Sequence, residues 1–270
     1  VTAIHIALSL LPLALYLLAA AALCRAAGRP AAQRATFGLI CTASAVVAHG
    51  YVLFGAIDTP TGISLAITDS ASLVGWVVAA STLLIISVYP LRGLGSALLL
   101  TAGILGSGTG LVTGFQTIAS PQWEVSAHIV LAALAAGWLT IAAVTVVLLH
   151  WQDARIRSRQ PLGPLGLLPP METMETTLFR TLGAGFTVLT LALLTGLFTV
   201  HNLLQQHLVH KTTLAILAWL VFGTLLWGRW KFGWRGRQAL RFTLAGFIIL
   251  ALAYFGTKFV LENLLGRHWG

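Results

Sequence analysis

The side chains with the greatest chemical reach in this sequence are its eight histidines, His5, His49, His128, His150, His201, His207, His210 and His268. Three of them crowd into HNLLQQHLVH, residues 201–210, ahead of an apolar run that closes in the Trp, Gly and Arg of WGRWKFGWRGR. Neutral imidazole is a common metal ligand and an axial donor to haem iron, so the chemistry this set offers is ligation of haem, or of zinc or copper. Other chemistries are poorly supplied. The seven acidic residues, Asp58, Asp69, Glu124, Asp153, Glu172, Glu175 and Glu262, lie near predicted helix ends or in loops, which weakens a proton-coupled transporter. No Ser/His/Asp or HExxH signature supports a soluble-type hydrolase. Cys24 and Cys41 are not in a C-x-x-C arrangement and read as two ordinary buried thiols.

The elements that must position these histidines are set by an unusual composition. The chain has 270 residues, of which 57% are hydrophobic and only 9% charged, against roughly 25% charged in an ordinary soluble domain. A helix crossing the hydrocarbon core needs about 20 apolar residues. Eight such runs are present, at approximately 4–24, 35–55, 68–89, 95–115, 125–149, 181–200, 212–228 and 242–259. The expected fold is therefore all-α, a polytopic membrane bundle of eight transmembrane helices forming a single integral membrane domain. The first run lacks a basic stretch before it and is followed by Arg25 and Arg29, the wrong polarity for a cleavable signal peptide, so it is expected to be a structural helix.

Positively charged loops stay cytoplasmic. Thirteen of the sixteen Lys and Arg follow odd-numbered runs, from Arg25, Arg29 and Arg34 through Arg92 and Arg155–Arg180 to the cluster Arg229–Arg241; the exceptions are Lys211, Lys258 and Arg267. Both termini are then expected on the outer side. The formal charge of +9 reflects topology and attraction to anionic headgroups, with no need of a nucleic acid. On this map seven histidines fall toward the outer side and only His150 toward the cytoplasm. Topology explains the guanidiniums but does not ask for that gathering of imidazoles. His201, His207 and His268 read as surface histidines. His49 falls about six residues, roughly 9 Å, below the outer end of its helix and needs a partner.

His128 lies in WEVSAHIVLAALAAGWL, where Ala132 and Ala136 at i+4 and i+8 strip the face below it of bulk; a flat macrocycle or a second helix could approach there. Gly106, Gly110 and Gly114 repeat G-x-x-x-G and read as a helix-packing face. A haem on the outer side would offer its propionates to Lys211, Lys258 and Arg267. The one long connection, 151–180, places Met171, Met174 and Leu178 on one face, so a short amphipathic surface helix is expected there, as an interfacial lid or a docking site for a membrane-protein partner.

The stretches HKTTLAILAWLVFGTLLWGRWKFGWRGRQALRFTLAGFIILALAYFG and LPPMETMETTLFRTLGAGFTVLTLALLTG resemble the second half of the cytochrome c assembly membrane proteins, the CcsA, CcmC and HemX-like family that handles haem. GWRGR followed by an apolar span ending in YFG is similar in order and spacing to that family's last two helices. AHIVLAALAAG resembles the segment carrying an outward-facing ligand histidine, which implies that role for His128, and His49 matches a membrane-embedded histidine by its place in the second helix. The likeness is good over about 120–256, loose before that, and greatest to the family's small single-subunit bacterial inner-membrane branch. Two departures matter. The Trp-rich, Asp-containing motif that presents haem in synthetase-type members is replaced by HNLLQQHLVHKTT, and the second membrane histidine falls near Trp227, which cannot ligate iron. His268 lies about three residues from the place of a last outer histidine.

The expected function is haem binding or handling without catalysis and without covalent attachment to an apocytochrome. One haem b is expected in the outer half of a bacterial inner-membrane bundle, with His128 and either His210 or His49 as axial donors and with Lys211 and Lys258 as cofactor-binding cations. The competing expectation is a cofactor-free adaptor that meets another membrane protein through 151–180 or the outer loop 201–211.

Overall fold

The computed structural model describes residues 3–26, 32–59, 62–64, 66–110, 117–118, 123–199 and 206–256. It is built almost wholly from helices: α1 Ala3–Ala26, α2 Ala32–Ile57, α3 Ile67–Val88, α4 Arg92–Gly106, α5 Trp123–Arg157, α6 Met171–Thr199, α7 Gln206–Phe232 and α8 Arg237–Ala251, the last extended by a widened π turn over Leu252–Gly256. Three short segments, β1 Asp58–Thr59, β2 Gly62–Ser64 and β3 Thr117–Ile118, pair antiparallel in the order β1-β2-β3, with Asp58 opposite Ile63 and Ile63 opposite Ile118.

Seven of these helices are long and apolar enough to cross a membrane. The eighth, α4, has 15 residues, about 22 Å at 1.5 Å per residue, which falls short of a hydrocarbon core of about 30 Å. The run expected over 95–115 stops early because the chain turns at 107–110, where Gly108 and Gly110 take φ of 96° and 70°. Side chains rarely adopt that left-handed region and glycine does so freely. Gly110 therefore belongs to a turn, Gly106 packs from within the helix, and Gly114, the third glycine of the expected G-x-x-x-G face, lies outside the described residues.

In apolar surroundings every polar group needs an internal partner. Threonine hydroxyls meet that demand by donating to the carbonyl four residues back: Thr42 to Gly38, Thr82 to Val78, Thr140 to Ala136 and Thr145 to Ile141, at 2.7–2.8 Å.

The chain divides into two compact units, Val1–Ser120 with Ala154–Met171, and Pro121–Asp153 with Glu172–Gly270. In the first, α1 packs on α2 and α4, and α3 packs on the same two, closing a four-helix ring. Its core holds Tyr16, Leu23, Leu94, Leu98 and Leu99. Glycines admit the close approaches: a Cβ on Gly75 would meet the Ala102 carbonyl at 2.8 Å, and one on Gly93 would overlap the Leu167 carbonyl. In the second unit α7 packs on α8, with Phe222 buried against Gly246. Leu139 of α5 meets Gly185 of α6, and Trp219 of α7 stacks on Phe186 of α6 while donating its indole N–H to Thr190 Oγ1 at 2.8 Å.

The connection after α5 is shorter than the sequence suggests. Met171, Met174 and Leu178 form the opening turns of α6 itself, with Met174 and Leu178 fully buried. The Pro169–Pro170 pair ends the preceding irregular segment, and the i, i+3, i+7 apolar pattern then runs unbroken into the span. Cys24 and Cys41 are free and half-buried.

Candidate functional site

Among the described residues two histidines organise the polar chemistry, one in each unit. In the second unit His128 lies on the second turn of α5, partly buried, with its imidazole turned onto α6. Its Nδ1 donates to the Ala192 carbonyl at 2.9 Å and approaches Thr195 Oγ1 at 3.3 Å. The Thr195 hydroxyl is itself committed as a donor to the Leu191 and Ala192 carbonyls, at 3.0 Å each. A carbonyl can only accept, so the proton is on Nδ1 and the lone pair is on Nε2. Gly196 makes this approach possible: a Cβ there would meet His128 Cε1 at 2.9 Å and Nδ1 at 3.3 Å.

An imidazole whose N–H is fixed by a carbonyl, with the other nitrogen left as a Lewis base, is the arrangement usual for metal-bound histidine. The donor set at His128 thus fits an axial contact to haem iron. The charge of Lys211, on the second turn of α7, falls within coulombic reach of the ring. Lys211 Nζ also stands 5.4 Å from the centroid of the Tyr254 ring. A cation near a ligating imidazole is suited to a carboxylate on the same cofactor. His207 and His210 belong to the first turn of α7; their side chains lie outside the described residues, as do those of His5, His201, His268, Lys258 and Arg267.

The first unit holds His49, whose ring is wholly buried. Its Nδ1 is 2.9 Å from Tyr16 Oη and its Nε2 is 2.8 Å from Ser72 Oγ. Gly106 of α4 closes over the ring, since a Cβ there would meet Cε1 at 2.8 Å. Both nitrogens have protein partners and no flat face is open, so His49 as arranged does not fit an axial donor. Nearby, Asp69 is buried at the start of α3 and accepts the Gly110 N–H at 2.9 Å. Sequence reasoning read this carboxylate as a helix-end residue and missed its role at the turn. The signal available was its position three residues before Ser72 on one helical face.

Small residues below His128 are present as expected, with Ala133, Ala135 and Gly137 buried and Ala132 and Ala136 partly so. Trp227 is 58% exposed on α7, facing away from the unit's core. Among the described residues, no group of three or more His, Cys, Asp or Glu is placed to hold a metal ion.

The chain matches the family model described as "Cytochrome C assembly protein" over residues 38–265, and it belongs to that family. It is 39% identical over 135 residues to inner membrane protein YpjD of Escherichia coli strain K12, covering 50% of this chain and 51% of that protein. It is 34% identical over 151 residues to an uncharacterized 28.8 kDa protein of Azospirillum brasilense, covering 54% and 55%. Similarity to cytochrome c biogenesis protein CcsA of Nostoc punctiforme is 28% over 116 residues, 42% of this chain and 33% of that protein. The chain spans about half the length of these two curated relatives. No solved structure matches it.

Proposed function

We propose that this chain is a haem-handling protein of a bacterial inner membrane, non-catalytic, which binds one haem b through its second unit. The observation that carries the reading is the His128 tautomer: the Ala192 carbonyl holds Nδ1–H and leaves Nε2 as the donor. Haem bound there would supply iron redox chemistry. His128 and His210, near the start of α7, would hold the iron. Lys211 and Lys258 are assigned to the propionates. The small residues Ala132 and Ala136 keep the approach to the ring open.

Family membership and the name of the Nostoc relative favour a place in cytochrome c biogenesis, and the Escherichia coli relative's name favours the inner membrane. In this reading the excess of Lys and Arg after odd-numbered helices sets both termini outside, and α4 completes an eight-helix topology as a short, protein-covered element. HNLLQQHLVHKTT, without Trp or Asp in place of a haem-presenting motif, favours binding over covalent attachment.

The test is the absorption spectrum, oxidised and dithionite-reduced, of protein purified in mild detergent from cells supplied with a haem precursor. A near-stoichiometric Soret band with bis-histidine α and β bands, weakened in His210→Ala, is expected. A spectrum that stays clean after reconstitution with haem refutes the reading.

A further inference from the structure

The buried contacts of His49 belong to a longer chain whose direction can be worked out atom by atom. Tyr16 Oη is 2.9 Å from His49 Nδ1, His49 Nε2 is 2.8 Å from Ser72 Oγ, Ser72 Oγ is 2.7 Å from Thr109 Oγ1, and Thr109 Oγ1 is 2.6 Å from the Gly106 carbonyl. The last acceptor fixes the rest. A carbonyl cannot donate, so Thr109 spends its only proton on Gly106. Thr109 Oγ1 must then accept from Ser72, Ser72 Oγ must accept from His49 Nε2–H, and His49 Nδ1 must accept from Tyr16 O–H. Every proton in the chain is used and every hydroxyl is satisfied.

The opposite direction fails on two counts. It would leave the Tyr16 hydroxyl, wholly buried, with no acceptor. It would also press a Thr109 lone pair against the Gly106 carbonyl oxygen at 2.6 Å with no proton between them. A buried polar group left unpaired is costly, more so with no water to replace the partner.

We propose that His49 is the neutral, Nε2-protonated link of this one-way chain, a clamp that ties α1, α2 and α3 to the turn ending α4, and that it is not a haem ligand in this protein. The turn is secured by three further backbone contacts. Gly108 N–H donates to the Ser9 carbonyl at 3.3 Å, Gly110 N–H to Asp69 Oδ1 at 2.9 Å, and Ser107 N–H to the Gly103 carbonyl at 2.9 Å. The clamp thus does at 107–110 what a full-length α4 would do by packing: it lets the backbone leave the helix inside an apolar bundle with its groups satisfied. To ligate iron, His49 would have to release Ser72 or Tyr16 and open a face that Gly106 now covers. The assignment is independent of the haem reading, and it removes His49 from this chain's iron donors if that reading holds.

Three measurements test it, the first two without haem. Nitrogen NMR of histidine-labelled protein in detergent should show one imidazole that stays neutral and Nε2-protonated across the accessible pH range and disappears in His49→Ala. Tyr16→Phe and Thr109→Val should each lower the thermal midpoint by about 2 °C or more, and the double variant should lose less than the sum, because both act on one chain. His49→Ala should leave any haem stoichiometry and reduced spectrum unchanged. A His49 ring protonated at Nδ1, additive effects of the two variants, or loss of haem in a His49→Ala protein of unchanged thermal midpoint would each overturn the assignment.

Discussion

Replacing Gly196 by alanine separates the fold of the second unit from the geometry of His128. The new Cβ would lie 2.9 Å from His128 Cε1 and 3.3 Å from Nδ1, and ordinary contact begins near 3.4 Å, so the ring must retreat by about 0.5 Å. That retreat lengthens the 2.9 Å bond from Nδ1 to the Ala192 carbonyl toward the limit of a hydrogen bond, at a cost of about 1 kcal/mol. Alanine gains about 1 kcal/mol over glycine within a helix, so the two effects offset and the thermal midpoint should move by no more than about 4 °C. Haem affinity should not be spared. Loss of the partner that orients a ligating histidine weakens metal binding by about 10–100-fold. Titration of haem into wild-type and Gly196→Ala protein, followed at the Soret band beside a thermal melt, reads both quantities. Equal affinities would refute the claim that the α6 carbonyl prepares His128 for iron.

Substitutions at three further positions probe the packing within the two units. Trp219→Phe removes the indole N–H bond to Thr190 but keeps the ring stacked on Phe186; it should cost about 1 kcal/mol in thermal unfolding, and Trp219→Ala about 3–5 kcal/mol. Glu175 meets Arg229 at 2.7 Å and Arg235 at 3.5 Å, with the Glu175 and Arg229 side chains 23% and 30% exposed. Glu175→Gln should therefore cost about 1 kcal/mol or less, a difference that shrinks as salt is raised during the melt. Gly93→Ala drives a methyl into the Leu167 carbonyl, so a loss of about 1–3 kcal/mol should come with faster proteolysis between 158 and 168.

The helices were legible because hydropathy alone marks them. Seven of the eight expected runs correspond to helices of spanning length, and α7 opens near His210 as the sequence suggested. The short α4 was not legible, since a run of apolar residues and glycines from 95 to 115 looks continuous until Gly108 and Gly110 are seen to turn. The opening of α6 was misread for a related reason. Met171, Met174 and Leu178 were seen as a separate amphipathic helix, though their period continues into the span without a break.

At the site, residue type picked out His49 and His128 but could not distinguish their surroundings. The partner of His128 is a main-chain carbonyl 64 positions away, and every residue has one, so no letter announces it. His49 finds Tyr16 and Ser72 at separations of 33 and 23 residues, and spacing does not record which helices become neighbours. Glycine opposite a ring, as at Gly106 and Gly196, was the visible trace of both, but it becomes informative only once the helices are paired.

The most direct test of the haem assignment is the reconstituted spectrum of His128→Ala, with and without added imidazole. The account predicts loss of the bis-histidine bands and their return when free imidazole fills the space left by the side chain. Wild-type bands in His128→Ala without imidazole would contradict it.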